Sequence, residues 1–257
     1  MNDFTYITTL GRVGSVRTLN QVPWAKLIVQ AHELAAYTEA YPKNEVIGLP
    51  KDIRTLGPTR RFMLERIAPL HNGRVILLDD DLDFMYRNKE GDWHLKAATA
   101  EQMENLFHLV EEALMTHAHV SVSGREGNNN LPDEPVANAR YMRFLAYNTG
   151  LFPPGIHVGR VDGMSDFDLN LQLLKKGKPS LIFTRWAQGH KGTQTPGGCS
   201  EQRTLESHAA EVDFMVEQHA PFVKSYFKND KGAGEFGKRK EVRIQWKKAF
   251  ASYDPTH

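Results

Sequence analysis

The sequence predicts one α/β domain with a mainly parallel sheet, followed by a short basic extension. The first observation is that β-branched and aromatic runs alternate with helical patterns through the first half of the chain, which is typical of βαβ units. The second is that 257 residues, 40% hydrophobic and 25% charged, suit one large globular domain. We place the α/β domain at residues 1–220 and the extension at residues 221–257.

The first half of the chain predicts three strands separated by two helical segments. β-Branched and aromatic residues predict a strand at 4–10 that ends at Gly11. A helix is expected between Pro23 and Pro42, because apolar residues recur there at helical spacing. Two further strands are predicted at 45–49 and 74–78, with a second helical pattern between them, after Gly57.

The second half continues the alternation. Thr99 and Gln102 predict a capping box at the start of a helix. Ser165 with Asp168 predicts the N-cap of another helix, which Gly177 closes. Periodicity then predicts strands at 120–122, 141–147, 181–187 and 242–246. It also predicts a further helix from Ser200 to Pro221 and loops at 123–135 and 189–198.

Charge is distributed unevenly along the chain. The net charge is +1, yet the stretch from Lys224 to Lys248 holds nine Lys or Arg and three Asp or Glu. A basic stretch on an acidic body indicates a polyanionic partner or, equally, a solvated ribbon. No apolar run is long enough for a membrane helix, no signal peptide is evident, and Cys199 is the single cysteine. We therefore expect a cytoplasmic protein, without a membrane and without an obligate protein partner.

The acidic end of the strand at 74–78 is the most informative pattern in the sequence. Asp79, Asp80, Asp81 and Asp83 follow its apolar residues directly. Two unit charges ~4 Å apart repel by roughly 1 kcal/mol even in water, and by more near protein. Carboxylate oxygens are the ligands that Mg²⁺ and Mn²⁺ prefer, together with substrate phosphates. The pattern therefore predicts a divalent cation at the carboxyl end of this strand.

Several motifs in order resemble those of GT-A fold glycosyltransferases, whose sheet is a Rossmann-like nucleotide-sugar-binding one. The acidic strand end resembles their DxD motif, and Gly57 with Arg61 resembles their Gly-x-x-x-Arg helix start. Ser165-Asp166 and the leucines after it resemble their acid-containing helix, and His190 follows a strand as their late histidine does. The resemblance spans roughly residues 4 to 190, and it implies a metal-dependent enzyme that uses a nucleotide-diphosphate sugar, with UDP-sugar favoured.

The resemblance implies a metal site for Mn²⁺ or Mg²⁺. Asp81 and Asp79 would be its acidic ligands, and His190 would complete it, with His208 as the alternative histidine. A second register remains open, because Asp81-Leu82-Asp83 is itself a DxD sequence.

The resemblance also implies donor-binding and catalytic residues. Asp166 stands where inverting members of the family carry the base that takes the proton of the acceptor hydroxyl. A retaining enzyme would give Asp166 another role. Guanidinium groups match phosphate geometry, and the end of the first strand corresponds to the place where the family binds the base and ribose of the donor. The donor contacts are therefore expected from Thr8, Arg12, Arg60, Arg61 and Asp80.

The acceptor is predicted to be 5-hydroxymethylcytosine in double-stranded DNA. The short chain with a basic end resembles the phage-type DNA glycosyltransferases called TET-associated glycosyltransferases. Basic and aromatic side chains interleave near the C-terminus, which suits a nucleic-acid backbone and its bases. The DNA contacts are expected from the 124–130 loop and the basic stretch, at Arg125, Lys238, Arg239 and Lys240.

Other functions remain open on the sequence alone. A glycosyltransferase could act instead on a glycan, a lipid or a protein, and DNA binding should then be absent. A nucleotidyltransferase would need a fuller glycine-rich loop than residues 11–14 provide. A metal-dependent nuclease or other nucleic-acid-binding protein would not explain the order of the motifs.

Overall fold

The protein is built on one large mixed sheet. The computed structural model describes residues 3–87, 94–124, 135–190, 203–229 and 237–256, without the side chain of His190. Ten strands of these residues form the sheet in the spatial order β3-β2-β1-β4-β9-β7-β10-β5-β6, with β8 paired to β10. Their bounds are β1 Thr5–Thr8, β2 Lys26–Val29, β3 Val46–Gly48, β4 Arg74–Asp79, β5 Leu82–Arg87, β6 Leu95–Ala97, β7 His119–Gly124, β8 Val136–Ala137, β9 Phe144–Asn148 and β10 Ser180–His190.

The half of the sheet formed by β3, β2, β1 and β4 is parallel throughout. The carboxyl ends of these four strands consequently meet at one edge. Antiparallel pairs join β4 to β9 and β9 to β7, while β7 and β10 run parallel. The predicted α/β fold is confirmed. The strands predicted in the first half of the sequence belong to the parallel half of the sheet.

Six α-helices and a hairpin complete the described part of the chain. The helices are α1 Leu34–Ala40, α2 Leu56–Phe62, α3 Ala100–Ala113, α4 Ser165–Lys175, α5 Leu205–His219 and α6 Trp246–Ala251. A π-helical turn, Met63–Ile67, continues α2. The hairpin pairs β11 (Val223–Asn229) with β12 (Lys238–Ile244) in antiparallel register. The predicted capping box is present, because Gln102 N donates to Thr99 Oγ1 and Thr99 N donates to Gln102 Oε1.

The helix predicted from Pro23 is wrong. Leu27 and Ile28 belong to β2, where they are buried between β1 and β3, and the helix begins only at Leu34. A short apolar run bounded by turns is compatible with either a buried strand or a helix, and pairing on both sides decides for the strand here.

Other element boundaries also differ from the prediction: β9 begins at Phe144, and β10 continues to His190, into the predicted 189–198 loop. Helix α5 begins at Leu205 with Thr204 as its N-cap, not at Ser200, which lies outside the described residues. The last strand ends at Ile244, and Trp246 opens α6. The ring of Trp246 packs edge-on against Phe167 at 5.5 Å, which draws the chain away from the extended conformation.

Helix α4 joins two hydrophobic clusters. Leu169 and Leu173 belong to the core that covers the sheet, whereas Leu171 and Leu174 belong to a second core. That second core also contains buried side chains of α5, β11 and α6, namely Val212, Met215, Val223 and Ala249. The C-terminal elements therefore pack on the side of α4 that does not face the sheet.

The start of α2 makes an unusually close approach to the loop before α4. Gly57 N donates to Asp162 Oδ1 at 2.7 Å. Gly159 has a φ of +67°, and a Cβ there would lie 2.2 Å from the carbonyl oxygen of Gly57. Glycine at both positions is what allows the two backbones to touch.

Replacement of Gly159 by alanine is expected to destabilise the fold through this contact. Gly155→Ala is the matched control: its φ is +74°, but its nearest neighbour is the flexible Lys176 Nζ at 3.6 Å. The control should lose about 1 kcal/mol of unfolding free energy from backbone strain alone, and Gly159→Ala about 3 kcal/mol or more. Urea unfolding measures both, and equal losses would show that the backbone contact is unimportant.

His119, the first residue of β7, is fully buried and linked on both ring nitrogens. Its Nε2 lies 3.0 Å from the carbonyl oxygen of Lys178 and must donate to it, so its Nδ1 accepts from the Tyr141 hydroxyl at 2.8 Å. The Nδ1 bond requires the neutral ring, because a protonated Nδ1 cannot accept a hydrogen bond. Burial is the main cause that lowers the pKa of His119 to about 4.

His119 should make the fold less stable in acid. The unfolded chain binds a proton near the ordinary pKa of 6.5, while the folded chain binds it only near pH 4. Stability is therefore complete above pH 6.5 and decreases towards pH 4, by on the order of 3 kcal/mol from this residue. His119→Asn, compared with the wild type by urea unfolding at several pH values, should lack this component. Identical pH dependence of the two proteins would contradict the assignment.

Candidate functional site

Thr18 holds the acidic turn between β4 and β5. Its side chain donates to the carbonyl oxygen of Asp79 at 2.6 Å and accepts from the amide of Leu82 at 2.9 Å. Its own amide donates to the carbonyl oxygen of Asp80 at 3.1 Å. Since β4 and β5 occupy distant positions in the sheet, this fully buried threonine replaces the cross-strand bonds of an ordinary hairpin.

Two of the four acids of the turn already have counter-ions in the protein. Asp80 is buried, receives a hydrogen bond from Thr9 Oγ1 at 2.6 Å, and is paired with Arg12. Asp83 is paired with Arg17. The Arg12–Asp80 contact closes a ring of bonds, because Tyr37 Oη binds both Thr9 Oγ1 and the Arg12 amide, each at 2.9 Å.

Asp79 and Asp81 are the acids with less compensation. Asp81 shares Arg12 at 3.2 Å and keeps about a quarter of its side chain exposed, 28%. Burial raises the pKa of Asp79 to about 7; Asp81 and Asp80 raise it further, while Arg60 and Arg143 oppose the shift. A carboxylate that is buried beside two other acids would be stabilised in its charged form by a nearby cation.

Arg60 connects the acidic turn with the start of α4. It is 9% exposed, its Nη1 donates to Ser165 Oγ, and the same nitrogen lies 3.6 Å from Asp166 Oδ1. Its charge also acts on Asp79. The Gly-x-x-x-Arg segment and the acid helix, which the sequence places far apart, are thus in direct contact.

Asp166 is nearly buried in the first turn of α4, with 8% exposure. Its Oδ1 accepts from the Phe167 amide at 3.1 Å. The other oxygen, Oδ2, has no hydrogen bond to any residue that the structure describes. The arrangement leaves one carboxylate oxygen available to a substrate hydroxyl.

Asp168 does not cap α4, so the predicted Ser165–Asp168 N-cap pair is wrong. Its carboxylate is fully buried and accepts from His219 Nε2 at 2.8 Å, Arg160 Nε at 3.1 Å and Gln172 Nε2 at 2.9 Å. These partners hold the pKa of Asp168 below its usual value although burial opposes them. A charge can be buried here because several donors compensate it, and the network ties α4 to α5.

A cavity of about 720 Å³ lies at the carboxyl ends of β1, β2 and β3. Leu10, of the segment after β1, is one of its lining residues, and the parallel register places the cavity and the acidic turn after β4 at the same edge of the sheet. Lys51 and Arg54, which follow β3, line it as well; both are exposed and have no ion-pair partner among the described residues. The volume is in the range of small-molecule sites.

The remaining donor and metal residues of the sequence analysis have different environments. Thr8 is the register partner of Asp79, at the same strand end. Arg61 donates to the carbonyl oxygens of Val158 and Gly159, at 3.0 and 3.3 Å, so its phosphate contact stays a prediction. His208 is buried at the hairpin, 3.2 Å from Glu241, and therefore serves the C-terminal elements.

Several expectations fall outside what the structure describes. Arg125 and the 125–134 segment lie there, as do the side chain of His190 and residues 191–202. Within the described residues no group of three or more potential metal ligands is present. Nor is any helix there both long and apolar enough to cross a membrane.

The predicted DNA residues of β12 differ among themselves. Lys238 is exposed. Arg239 Nε donates to Glu241 at 2.8 Å, and Lys240 is paired with Asp213 of α5. Two of the three cations are thus held by acids of the protein.

Sequence reasoning missed the residues that hold the acids in place. Thr18 and Arg17 come from a 3₁₀ turn with no recognisable motif. Arg143 has a φ of +66°, and its carbonyl oxygen accepts from the Asp79 amide at 3.1 Å. Lys51 and Arg54 could have been predicted from the sequence, because residues that follow a strand of a parallel sheet are expected near a ligand.

Thr18→Val is expected to disturb the acidic turn. The valine keeps the shape but leaves the Leu82 amide without its acceptor, which should cost about 1–3 kcal/mol of unfolding free energy. Thr18→Ser keeps the hydroxyl and should retain most of the stability. Thermal unfolding compares the two variants, and equal losses would show that the methyl group rather than the hydroxyl matters.

Comparison with known proteins places the chain in a family. The family model for TET-Associated Glycosyltransferase matches residues 4–198. A protein of Enterobacteria phage T2, called beta-glucosyl-HMC-alpha-glucosyl-transferase, is 24% identical over 279 residues, covering 98% of this chain and 96% of the phage protein. A protein of the same name from Enterobacteria phage T6 is 25% identical over 251 residues, covering 89% and 86%. Because the family model matches most of its length, the chain belongs to the TET-associated glycosyltransferase family and is a glycosyltransferase.

Proposed function

We propose that the protein transfers a sugar from a nucleotide-diphosphate sugar to the hydroxyl of 5-hydroxymethylcytosine in DNA. The observation that carries this proposal is the meeting of a cationic cavity and an under-compensated acidic turn at one sheet edge, inside the family-matched residues 4–198. A nucleotide diphosphate carries negative charge that needs compensation, and its departure increases that charge. The edge offers positive groups and a place for a cation.

The cavity after β1, β2 and β3 is the proposed donor site. Leu10, Gln30 and Ala31 give it a partly apolar wall that suits a nucleobase, and UDP-sugar is the donor favoured by the resemblance. Lys51 and Arg54 are placed to compensate phosphate charge, as the sequence analysis expected of Arg12 and Arg60. Arg12 and Arg60 are engaged by Asp80 and Ser165, so we assign them to positioning the acids.

Asp79 and Asp81 are the proposed carboxylate ligands of Mn²⁺ or Mg²⁺. The fit rests on their hard oxygen donors, which lie at the end of β4, and on the absence of a full counter-ion for either carboxylate among the described residues. When bound, the cation would neutralise charge on the departing nucleotide diphosphate. The register 79–81 is favoured over 81–83, because Asp83 already has Arg17. His190 remains the predicted third ligand.

Asp166 is the proposed general base in an inverting transfer. Its Oδ2 would accept the proton of the acceptor hydroxyl as that oxygen attacks the anomeric carbon. Arg60 and the Phe167 amide keep the carboxylate in place through Oδ1. An α-linked product from an α-linked donor would contradict this role.

A second acceptor is favoured by the names of the two phage relatives. Both are called transferases of an α-glucosyl group to β-glucosyl-HMC. The acceptor here would then be hydroxymethylcytosine that already carries a glucose, and the attacked hydroxyl would belong to that sugar. If the donor is α-linked, an α-linked product would mean that the transfer retains configuration, and Asp166 would then have a role other than that of the base in an inverting transfer.

One assay separates these acceptors. The protein is incubated with Mn²⁺, a panel of nucleotide sugars, and duplexes containing cytosine, 5-hydroxymethylcytosine or its β-glucosylated form. Nucleotide-diphosphate release and the mass of the DNA report transfer, and NMR of the product gives the anomeric configuration. If a glycan, lipid or protein stimulates nucleotide-diphosphate release and no duplex does, the proposal that DNA is the acceptor is wrong.

Asp81→Asn is expected to lower kcat/KM by roughly 100-fold or more, with a weaker response to Mn²⁺, because it removes one of two under-compensated carboxylates. Asp83→Asn is the matched control and should remain within about tenfold of the wild type, since Arg17 already neutralises Asp83. A larger loss for Asp83→Asn would instead favour the 81–83 register.

A further inference from the structure

The β11–β12 hairpin is a strongly basic ribbon that packs against α5 and leaves part of β11 exposed. Its two strands, VKSYFKN and KRKEVRI, contain six Lys or Arg and one acid, Glu241. In β11, Ser225, Tyr226 and Phe227 are all exposed, so neither face of this strand is covered at that point. The family-matched residues end at 198, before the ribbon begins.

Phe227 is the most exposed large apolar side chain in the described part of the chain, with 81% of its area accessible. The strand register places Phe227 opposite Lys240 and Asn229 opposite Lys238, on one face of the ribbon. Lys224 and Arg243 oppose each other on the other face, where Arg243 lies over the Tyr226 ring at 5.3 Å. Phe227 and the cations around it therefore place an apolar contact and positive charge on the same exposed ribbon.

Four of the six cations of the ribbon divide into two groups. Arg239 is neutralised by Glu241 of the same strand, and Lys240 is neutralised by Asp213, which attaches the ribbon to α5. Lys224 and Lys238 are exposed and have no ion-pair partner among the described residues. The first group supports the ribbon, and the second is available to an external polyanion.

The base of the ribbon adjoins the candidate active site. Trp246, which follows β12, packs on Phe167, the neighbour of Asp166. Glu211 of α5 accepts from the Gly163 amide at 2.7 Å, in the loop that leads into α4. A duplex held by the ribbon would therefore pass beside the first turn of α4.

We propose that the β11–β12 ribbon enters the major groove of the acceptor duplex, with Phe227 against the base edges and Lys224 and Lys238 on the phosphates. This inference rests on the proposed DNA acceptor. The major groove has the width of a two-stranded β-ribbon, and the substituent at C5 of a pyrimidine projects into it. The ribbon and the hydroxymethyl group would thus occupy the same groove.

A second copy of this chain is the competing occupant. The phenylalanine would suit an apolar contact, but two ribbons with an excess of five positive charges each would repel one another. The charge complements phosphate, and this decides for DNA.

Fluorescence anisotropy with an unmodified duplex and no donor tests the inference on the full-length protein. Phe227→Ala should weaken binding about tenfold, the scale of one lost base contact. The double variant Lys224→Gln with Lys238→Gln should reduce the slope of log K against log salt by about 2. The matched controls are Leu70→Ala, an apolar side chain with 75% exposure, and Arg66→Gln; both precede β4 and lie away from the ribbon. They should bind as the wild type does.

Three outcomes would overturn the inference: DNA affinity unchanged in the ribbon variants, competition by the minor-groove ligand netropsin, or a Phe227-dependent dimer with unchanged DNA binding. Donor hydrolysis without DNA should be equal in all variants, which excludes misfolding as the cause. Sugar transfer to DNA together with failure of these tests would contradict only the role of the ribbon. DNA binding through the ribbon without sugar transfer to DNA would contradict only the proposed function.

Discussion

The buried guanidinium of Arg60 is the interaction on which the candidate site depends. It donates to Ser165, lies 3.6 Å from Asp166, and partly compensates Asp79. Three segments that carry negative or polar groups thereby share one fixed cation. A buried charge is tolerated only when it is paired and hydrogen-bonded, so each acid and the arginine require one another. Loss of the arginine would leave Asp79 and Asp166 with less compensation in a nearly dry site.

The close contact of Gly57 with the 159–162 loop is what places Arg60. Arg60 lies one helical turn after Gly57 in α2, and Asp162 holds the start of that helix while Ser165 receives the guanidinium. Gly57 and Arg60 thus have different roles in this segment. Gly57 allows the close approach of the two backbones, and Arg60 places a positive charge beside the acids that this approach brings together. Arg61, the residue that matches the motif by spacing, instead binds the loop carbonyls from outside.

The sequence predicted what depends on local composition and missed what depends on distant pairing. The acidic strand end, the capping box at Thr99 and the parallel strands β1, β3 and β4 follow from residue type and periodicity, and they are present. Strand β2 was mistaken for helix because its four-residue run fits both periods, and only its two neighbours decide. Asp168 was taken for a cap because its partners, Arg160 and His219, come from other segments. The Thr18 and Arg17 contacts have the same origin.

Helix α4 connects the core that covers the sheet with the core of the C-terminal elements. Its first turn presents Asp166, its sheet side carries Leu169 and Leu173, and its outer side carries Leu171 and Leu174. Asp168 extends the coupling, because its buried carboxylate binds His219 at the end of α5. The pKa of His219 is lowered by burial although Asp168 opposes the shift. A continuous series of packed and hydrogen-bonded side chains therefore runs from α5, which packs against the ribbon, to the helix that carries Asp166. If the ribbon holds the acceptor duplex as proposed, this close packing would restrict how far the duplex moves relative to Asp166. The acceptor would be aligned by the same helix that supplies the base.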